Sequence, residues 1–291
     1  MVDVLDVEGF GASTRCCAFL RRTYAPSHTR IAFFLNGTGV YTTAHGDLDG
    51  LAKSAARGRT MAVLTVDKPG IGSTTNGTLT VDRDVFSRHT IADLVACAQN
   101  AMKAALARPG IAEDATVIAH GHSEGAQVWT RVLDAATGPV FSRVEATLLS
   151  GLPMEPVTTG AERQLGVFLP FEVEAFRRAL AAHDDDYLLL LGMPWRYLEH
   201  PTAREGMSDV LDRLATRHPG LKIELFHGER DRNAPFLPVK AFVEESVRRR
   251  AARRPALDLR LHAYPGAAHQ LDARLDADID AFVGALPPRA W

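Results

Sequence analysis

The stretch Ala119-His120-Gly121-His122-Ser123-Glu124-Gly125 decides how the chain is read. Before it, Ala115 to Ala119 is a short strand-forming run; after it, Gly125 to Ala136 has helical spacing, so Ser123 stands in the turn between a strand and a helix. A serine hydroxyl is a weak nucleophile until a base takes its proton, and it must project from the backbone to meet a substrate. A tight strand-turn-helix supplies the projection. It also presses the backbone against its neighbours, so the positions two before and two after the serine must be small, and they are Gly121 and Gly125. The competing reading is a glycine-rich turn whose serine only caps a helix.

Outward from this turn, short apolar, β-branched runs alternate with longer helical patterns, the order required by a largely parallel sheet with helices on both faces. The first two runs depart from it. Val2 to Val7 and Arg15 to Tyr24 are joined by a turn-rich link, Glu8 to Ser13, suited to an antiparallel pair at the sheet edge. Ile31 to Leu35, Met61 to Asp67, Ala146 to Leu149, Leu221 to Phe226 and Leu257 to Ala263 read as further strands. Leu48 to Ala56, Ile91 to Ala107, Pro238 to Arg253 and Asp276 to Leu286 read as helices.

The rhythm breaks between about Pro153 and Thr216, a largely helical segment that carries Phe168, Phe171, Phe176, Tyr187, Trp195 and Tyr197. It reads as a cap inserted over the sheet's C-terminal edge, leaving 1–152 and 217–291 as the core domain. The alternative is that part of it is an ordinary crossover helix. The aromatics suit either the cap's own core or an apolar substrate pocket, so Phe168 and Trp195 stand as candidate substrate contacts.

A serine nucleophile needs a base, and the chain has 11 histidines. His269 is the best placed, in the small-residue loop Tyr264 to His269 that follows a strand and therefore opens at the same sheet edge as Ser123. His120 and His122 adjoin the serine in sequence but cannot reach its hydroxyl along a productive line; they read as packing or pocket residues. A carboxylate must fix the imidazole tautomer, and Asp231, five residues beyond the strand ending at Phe226, gives the order Ser, Asp, His. Glu229 is the second choice; Asp258 lies inside a strand and Asp272 beyond the histidine. The oxyanion formed on an attacked carbonyl needs two preorganised donors. One is the backbone N–H of Glu124 at the start of the helix, and the other comes from Asn36-Gly37-Thr38-Gly39, through Thr38 or Gly37.

Composition bounds the rest. A chain of 291 residues with 46% hydrophobic content can bury a single core. With 33 Lys plus Arg against 35 Asp plus Glu, no global field recruits nucleic acid or an anionic membrane. The basic run Arg248-Arg249-Arg250 closes a helix and complements its dipole, and Asp184-Asp185-Asp186 reads as a solvated turn, not a metal site. No apolar stretch approaches the roughly 18 residues of a membrane span, and the acidic first ten residues do not read as a signal peptide. Three cysteines, Cys16, Cys17 and Cys97, make a poor disulfide framework and suit a reducing, cytoplasmic compartment. Cys97 falls on the apolar face of its helix.

Taken together these residues resemble the α/β-hydrolase superfamily. Leu35 to Gly39 is similar to its oxyanion loop, Asp67-Lys68-Pro69-Gly70-Ile71-Gly72-Ser73 to its Asp-x-Pro-Gly-x-Gly-x turn, His122 to Gly125 to its nucleophile elbow, His227 to Asp231 to its acid loop, and Pro265 to His269 to its histidine loop. Two positions depart from the pattern: Asn36 stands where many relatives have histidine, and Lys68 where they often have arginine. Asn36 either orients its loop or touches substrate, and Gly37 and His122 are the other candidate pocket residues on the sheet side. The resemblance implies an α/β-hydrolase fold along most of the chain, and only the cap region read above lies outside it. It implies acyl transfer from an ester or thioester through Ser123, His269 and Asp231, with no cofactor and no metal. The substrate expected is a small acyl compound, free or carrier-bound. A pathway thioesterase, acyl transferase or cyclase is the nearest alternative; a peptidase, a lyase or a non-catalytic receptor on the same fold is more distant.

Overall fold

Eight strands form one sheet. They are β1 (Val2–Glu8), β2 (Arg15–Arg21), β3 (His28–Leu35), β4 (Met61–Val66), β5 (Ile111–His122), β6 (Val144–Ser150), β7 (Lys222–Gly228) and β8 (Asp258–Tyr264). Their spatial order is β1-β2-β4-β3-β5-β6-β7-β8. The computed structural model describes residues 2–9, 14–22, 27–39, 61–73, 78–135, 142–269 and 273–287. The helix expected over Leu48 to Ala56 lies outside the described residues.

The first two strands pair antiparallel, with Val2 opposite Arg21, and β2 runs antiparallel to β4; every other pairing is parallel. This is the expected edge pair leading into a parallel sheet. On β1 the burial alternates: Leu5 and Val7 are buried, Val2 and Val4 exposed, as on a strand covered on one face only. The central strands do not alternate. In β3, Ile31, Phe33 and Leu35 enter one core while Ala32 and Phe34 enter the other, so the pleat feeds a hydrophobic layer on each face. Fully burying a side chain such as Phe33 or Phe34 contributes about 1.5–3 kcal/mol, which is why a continuous apolar run is selected here.

One layer is built by α1 (Ile91–Leu106) and α2 (Glu124–Ala135), with Trp129 of α2 packed edge-on against Phe33. The N-terminus of α1 is fixed by a capping box in which Thr90 N donates to Asp93 Oδ2 (2.8 Å) and Asp93 N donates to Thr90 Oγ1 (3.3 Å). The other layer includes Leu275 and Ile279, on a C-terminal helix. Near the end of Phe236–Ala251, the basic run is ion-paired: Arg248 and Arg249 with Glu245, Arg249 also with Asp212, and Arg250 with Asp258.

The cysteines correct an expectation. Cys16 of β2 and Cys97 of α1 form a disulfide, with Cα atoms 6.0 Å apart. Their spacing of 81 residues concealed the contact, which arises because α1 packs across the edge strands. With this bond formed, cysteine usage does not point to a reducing compartment. Cys97 is fully buried, as its place on the apolar face of α1 implied. Among the described residues no helix is long and apolar enough to cross a membrane.

Between β6 and β7 the chain is helical: α3 (Val157–Phe168), α4 (Val173–Ala182), α5 (Asp185–Leu190), α6 (Trp195–Glu199) and α7 (Met207–Arg217). Two side chains one turn apart on α2 hold both ends of this stretch. Gln127 Nε2 donates to the carbonyls of Pro153 (3.0 Å) and Glu155 (3.1 Å), and Arg131 Nη2 donates to those of Thr202 (2.9 Å) and Glu205 (3.0 Å). Its last helix, α7, lies against α2, where a crossover helix of the sheet would lie.

Candidate active site

Because β3, β5, β7 and β8 are parallel, the loops after them open at one edge, and there they meet. Ser123 follows β5 with φ of +55°, a left-handed conformation that costs a non-glycine residue about 1–3 kcal/mol and persists only where the surroundings hold it. Its N–H donates to the Ser150 carbonyl (2.9 Å), and its own carbonyl accepts from Ala126 (3.0 Å), the first bond of α2. The two small neighbours are required. A Cβ on Gly121 would stand 2.5 Å from the Gly125 carbonyl oxygen, and one on Gly125 would fall on the Leu35 and Asn36 carbonyls.

His269 Nε2 lies 2.9 Å from Ser123 Oγ, and its Nδ1 lies 2.7 Å from Asp231 Oδ2. The other oxygen of Asp231 accepts from the N–H groups of Asn233 and Ala234, both at 2.8 Å. A carboxylate only accepts, so Nδ1 is the donor to Asp231, and Nε2 presents a lone pair to the serine hydroxyl. All three residues are buried. Glu229, the alternative acid, is exposed.

Four further residues surround this hydrogen-bonded series. Gly151, directly after β6, has φ of +56°, and a Cβ there would lie 2.9 Å from His269 Cε1. A glycine following a parallel strand at the same edge was the available signal, and it went unread. His227, which had no positional case in the sequence, stands 3.5 Å from Asp231 Oδ2 and donates through Nε2 to the Ala234 carbonyl (2.7 Å). Burial pushes its pKa below the usual histidine value, which keeps the ring neutral beside the carboxylate. His120 Nε2 and His122 Nδ1 both lie within hydrogen-bond distance of Ser150 Oγ, at 2.8 and 3.0 Å. The His122 ring packs on that of His269 with centroids 4.9 Å apart, so His122 backs the imidazole.

The loop after β3 crosses close above the serine: a Cβ on Gly37 would lie 3.6 Å from Ser123 Oγ. Asn36 Oδ1 accepts from Gly37 N (2.7 Å), so this side chain orients its own loop. Glu124 opens α2, where N–H groups have no partner one turn back in the helix. Thr38, Ser123 and Glu124 line one cavity, whose opposite wall is the α3 face Val157, Gly160, Ala161 and Gln164. Those four fall at positions i, i+3, i+4 and i+7 and so share one face of the helix. Phe168 and Trp195 are not among the residues lining this cavity. Phe168 is 55% exposed at the end of α3, and Trp195 stacks on His183 with ring centroids 3.8 Å apart. Among the described residues no cluster of His, Cys, Asp or Glu has a metal-binding arrangement.

The fold has counterparts in solved structures. A lipase in its open form is 16% identical over 97% of each chain, with a TM-score of 0.64. The fold is that of the α/β hydrolases. Est1E from Butyrivibrio proteoclasticus with ferulic acid bound is 14% identical, covering 96% of this chain and 97% of that one at a TM-score of 0.62. A puromycin-hydrolyzing peptidase of Mycobacterium tuberculosis is 18% identical over 99% of this chain and 40% of its own, again at 0.62. No family model and no curated protein matches the sequence. At these identities the likeness fixes the α/β-hydrolase fold, and the chemistry has to be argued from the side chains.

Proposed function

We propose that the protein hydrolyses carboxylic esters or thioesters through an acyl-enzyme on Ser123. The observation that carries this reading is the unbroken hydrogen-bonded series from Ser123 Oγ through His269 to Asp231, opening on the cavity under α3. His269 Nε2 takes the hydroxyl proton as Oγ attacks the acyl carbonyl. Asp231 holds the tautomer and stabilises the imidazolium. The negative charge on the carbonyl oxygen is received by the backbone N–H groups of Glu124 and Thr38. His269 then protonates the leaving alcohol or thiol. Water, deprotonated by the same imidazole, cleaves the acyl-enzyme and restores the serine. None of these steps calls for a cofactor.

The helical stretch 153–216 acts in this reading as a cap whose α3 face bounds the acyl group. Gly160 and Ala161 leave room opposite the nucleophile, and Val157 and Met193 make the wall largely apolar. The substrate class is a small acyl compound with an apolar acyl portion, free or carrier-bound. Labelling with a fluorophosphonate, followed by turnover of p-nitrophenyl esters and of acyl-thioesters of matched chain length, tests the proposal. Stoichiometric labelling that vanishes in Ser123→Ala, with turnover reduced by about 10⁴-fold or more, is the expected result. Full turnover by Ser123→Ala on every ester and thioester that the parent cleaves would overturn it.

A further inference from the structure

Glu124 sets an electrostatic problem that the triad does not solve. Its backbone N–H is one of the two proposed donors to the oxyanion, yet its side chain is a carboxylate, 4% exposed, on the residue next to the nucleophile and lining the same cavity. A buried negative charge there opposes the negative charge that the site has to stabilise, and burial weakens the screening between them.

The compensating charge comes from the loop after β4. Lys68, 8% exposed, places Nζ 2.8 Å from Glu124 Oε2 and donates from the same ammonium to the Gly192 carbonyl at 3.2 Å. Nζ also faces the Tyr197 ring, 6.0 Å from its centroid. Lys68 is itself held by a turn in which Ile71 N donates to its carbonyl (3.0 Å). Gly192, at φ of +69°, lies against the backbone of Gly39, at the end of the Asn36 to Gly39 loop; a Cβ on it would stand 2.8 Å from the Gly39 carbonyl carbon. One ammonium therefore joins the residue supplying one oxyanion donor to the turn of the helical segment that braces the loop supplying the other. A further neighbour, His89, is buried with its pKa pushed down to about 3 by burial and by the Lys68 charge, so it adds no second cation.

We propose that Lys68 is a positioning residue for the oxyanion site: its ammonium neutralises the buried Glu124 carboxylate and ties the Gly192 turn to the two loops that hold the developing charge. The inference rests on the ester-hydrolase reading above. It explains why lysine occupies the loop Asp67-Lys68-Pro69-Gly70, and it differs from a stabilising ion pair in acting on the transition state. Interactions specific to that state alter kcat and leave KM nearly untouched.

The test is steady-state hydrolysis of a neutral p-nitrophenyl ester between about pH 7 and 9, with kcat normalised to sites titrated by a fluorophosphonate so that misfolded protein does not count. Lys68→Met is expected to lower kcat about 10- to 100-fold with KM changed less than about threefold. Lys68→Arg, which keeps the charge, should restore kcat to within about fivefold of the parent. Lys68→Met combined with Glu124→Gln, which removes both charges, should recover at least about fivefold over Lys68→Met alone. If Lys68→Met yields no titratable sites, Lys68→Gln carries the test under the same thresholds. A kcat per titrated site within twofold of the parent across that pH range, or a loss that appears only in KM, would overturn the proposal while leaving the triad intact. A parent protein that is neither labelled nor active on any ester or thioester removes both proposals, and that result is read before any Lys68 variant is compared.

Discussion

The loops at the carboxyl edge of the sheet and the helical segment between β6 and β7 lie on opposite sides of the same cavity, and they are specified in different ways. In the loops each position is over-determined: Gly121 and Gly125 by backbone contacts, Ser123 by its bond to Ser150, Asp231 by two N–H groups, and His269 by both neighbours. The helical wall is made by ordinary packing, with small residues at Gly160 and Ala161 where larger ones would also be helical. The loops tolerate almost no change because each position is fixed by its neighbours, and in the proposed function their geometry is the chemistry. The wall can change, because it sets only a volume.

Substitutions should separate the two sides by orders of magnitude. The largest effect is expected for Asp231→Asn, which presents the wrong hydrogen-bond partner to Nδ1: kcat should fall about 10⁴-fold with an unchanged melting temperature, whereas Glu229→Gln should stay within about twofold. Gly151→Ala comes next. It puts a Cβ against the His269 ring at a positive φ, and a misplaced imidazole should reduce kcat about 10²-fold, measurable against unchanged circular dichroism.

A stability measurement sharpens the same comparison away from the cavity. His89 is buried with a folded pKa of about 3, below its unfolded value of 6.5, so the unfolded chain takes up the proton first as pH falls. The stability it contributes is complete above about pH 6.5 and is lost progressively towards pH 3. Near pH 4.5 the loss should be about 2–3 kcal/mol relative to pH 7. His89→Asn, which can retain the donor to the Phe86 carbonyl, should flatten that part of the urea-unfolding profile.

On the wall, Ala161→Phe should lower kcat/KM for octanoyl esters about tenfold relative to acetyl esters while acetyl turnover stays within a few-fold. Phe168→Ala should alter either by less than about threefold, since its ring lies outside the cavity lining. A larger loss on long acyl groups would bring Phe168 into the pocket.

The legibility of the sequence follows the same division. The edge pair, the parallel strands and the order Ser, Asp, His could be read because they rest on local rules: apolar runs, glycine at a sharp turn, and loops after parallel strands sharing an edge. Strand ends were less legible. β5 begins at Ile111, four residues before the apolar run, because His28 of β3 pairs with Ile111 across a register shift that precedes the regular ladder from Arg30 opposite Thr116. Gly151 and His227 went unread because their importance comes from which loop lies opposite, and Cys16 with Cys97 for the same reason. In the helical segment, helical spacing showed the helices but not which face turns to the cavity. The aromatics drew attention, while the lining is supplied by Val157, Gly160, Ala161 and Gln164.

The Cys16–Cys97 bond divides the chain topologically. It closes a covalent ring across a separation of 81 residues, a constraint that loop-closure entropy values at about 4–5 kcal/mol in the unfolded chain. Asn36 to Gly39 and Lys68 are inside the ring; Ser123, Asp231 and His269 are all outside it. The groups proposed to make and break bonds thus belong to the linear part of the molecule, while the Thr38 side of the oxyanion site and its lysine belong to the looped part. Opening the ring would enlarge the unfolded ensemble through the stretch that carries Asn36 to Gly39 and Lys68, so the linear part of the site depends for its stability on a cross-link that it does not contain.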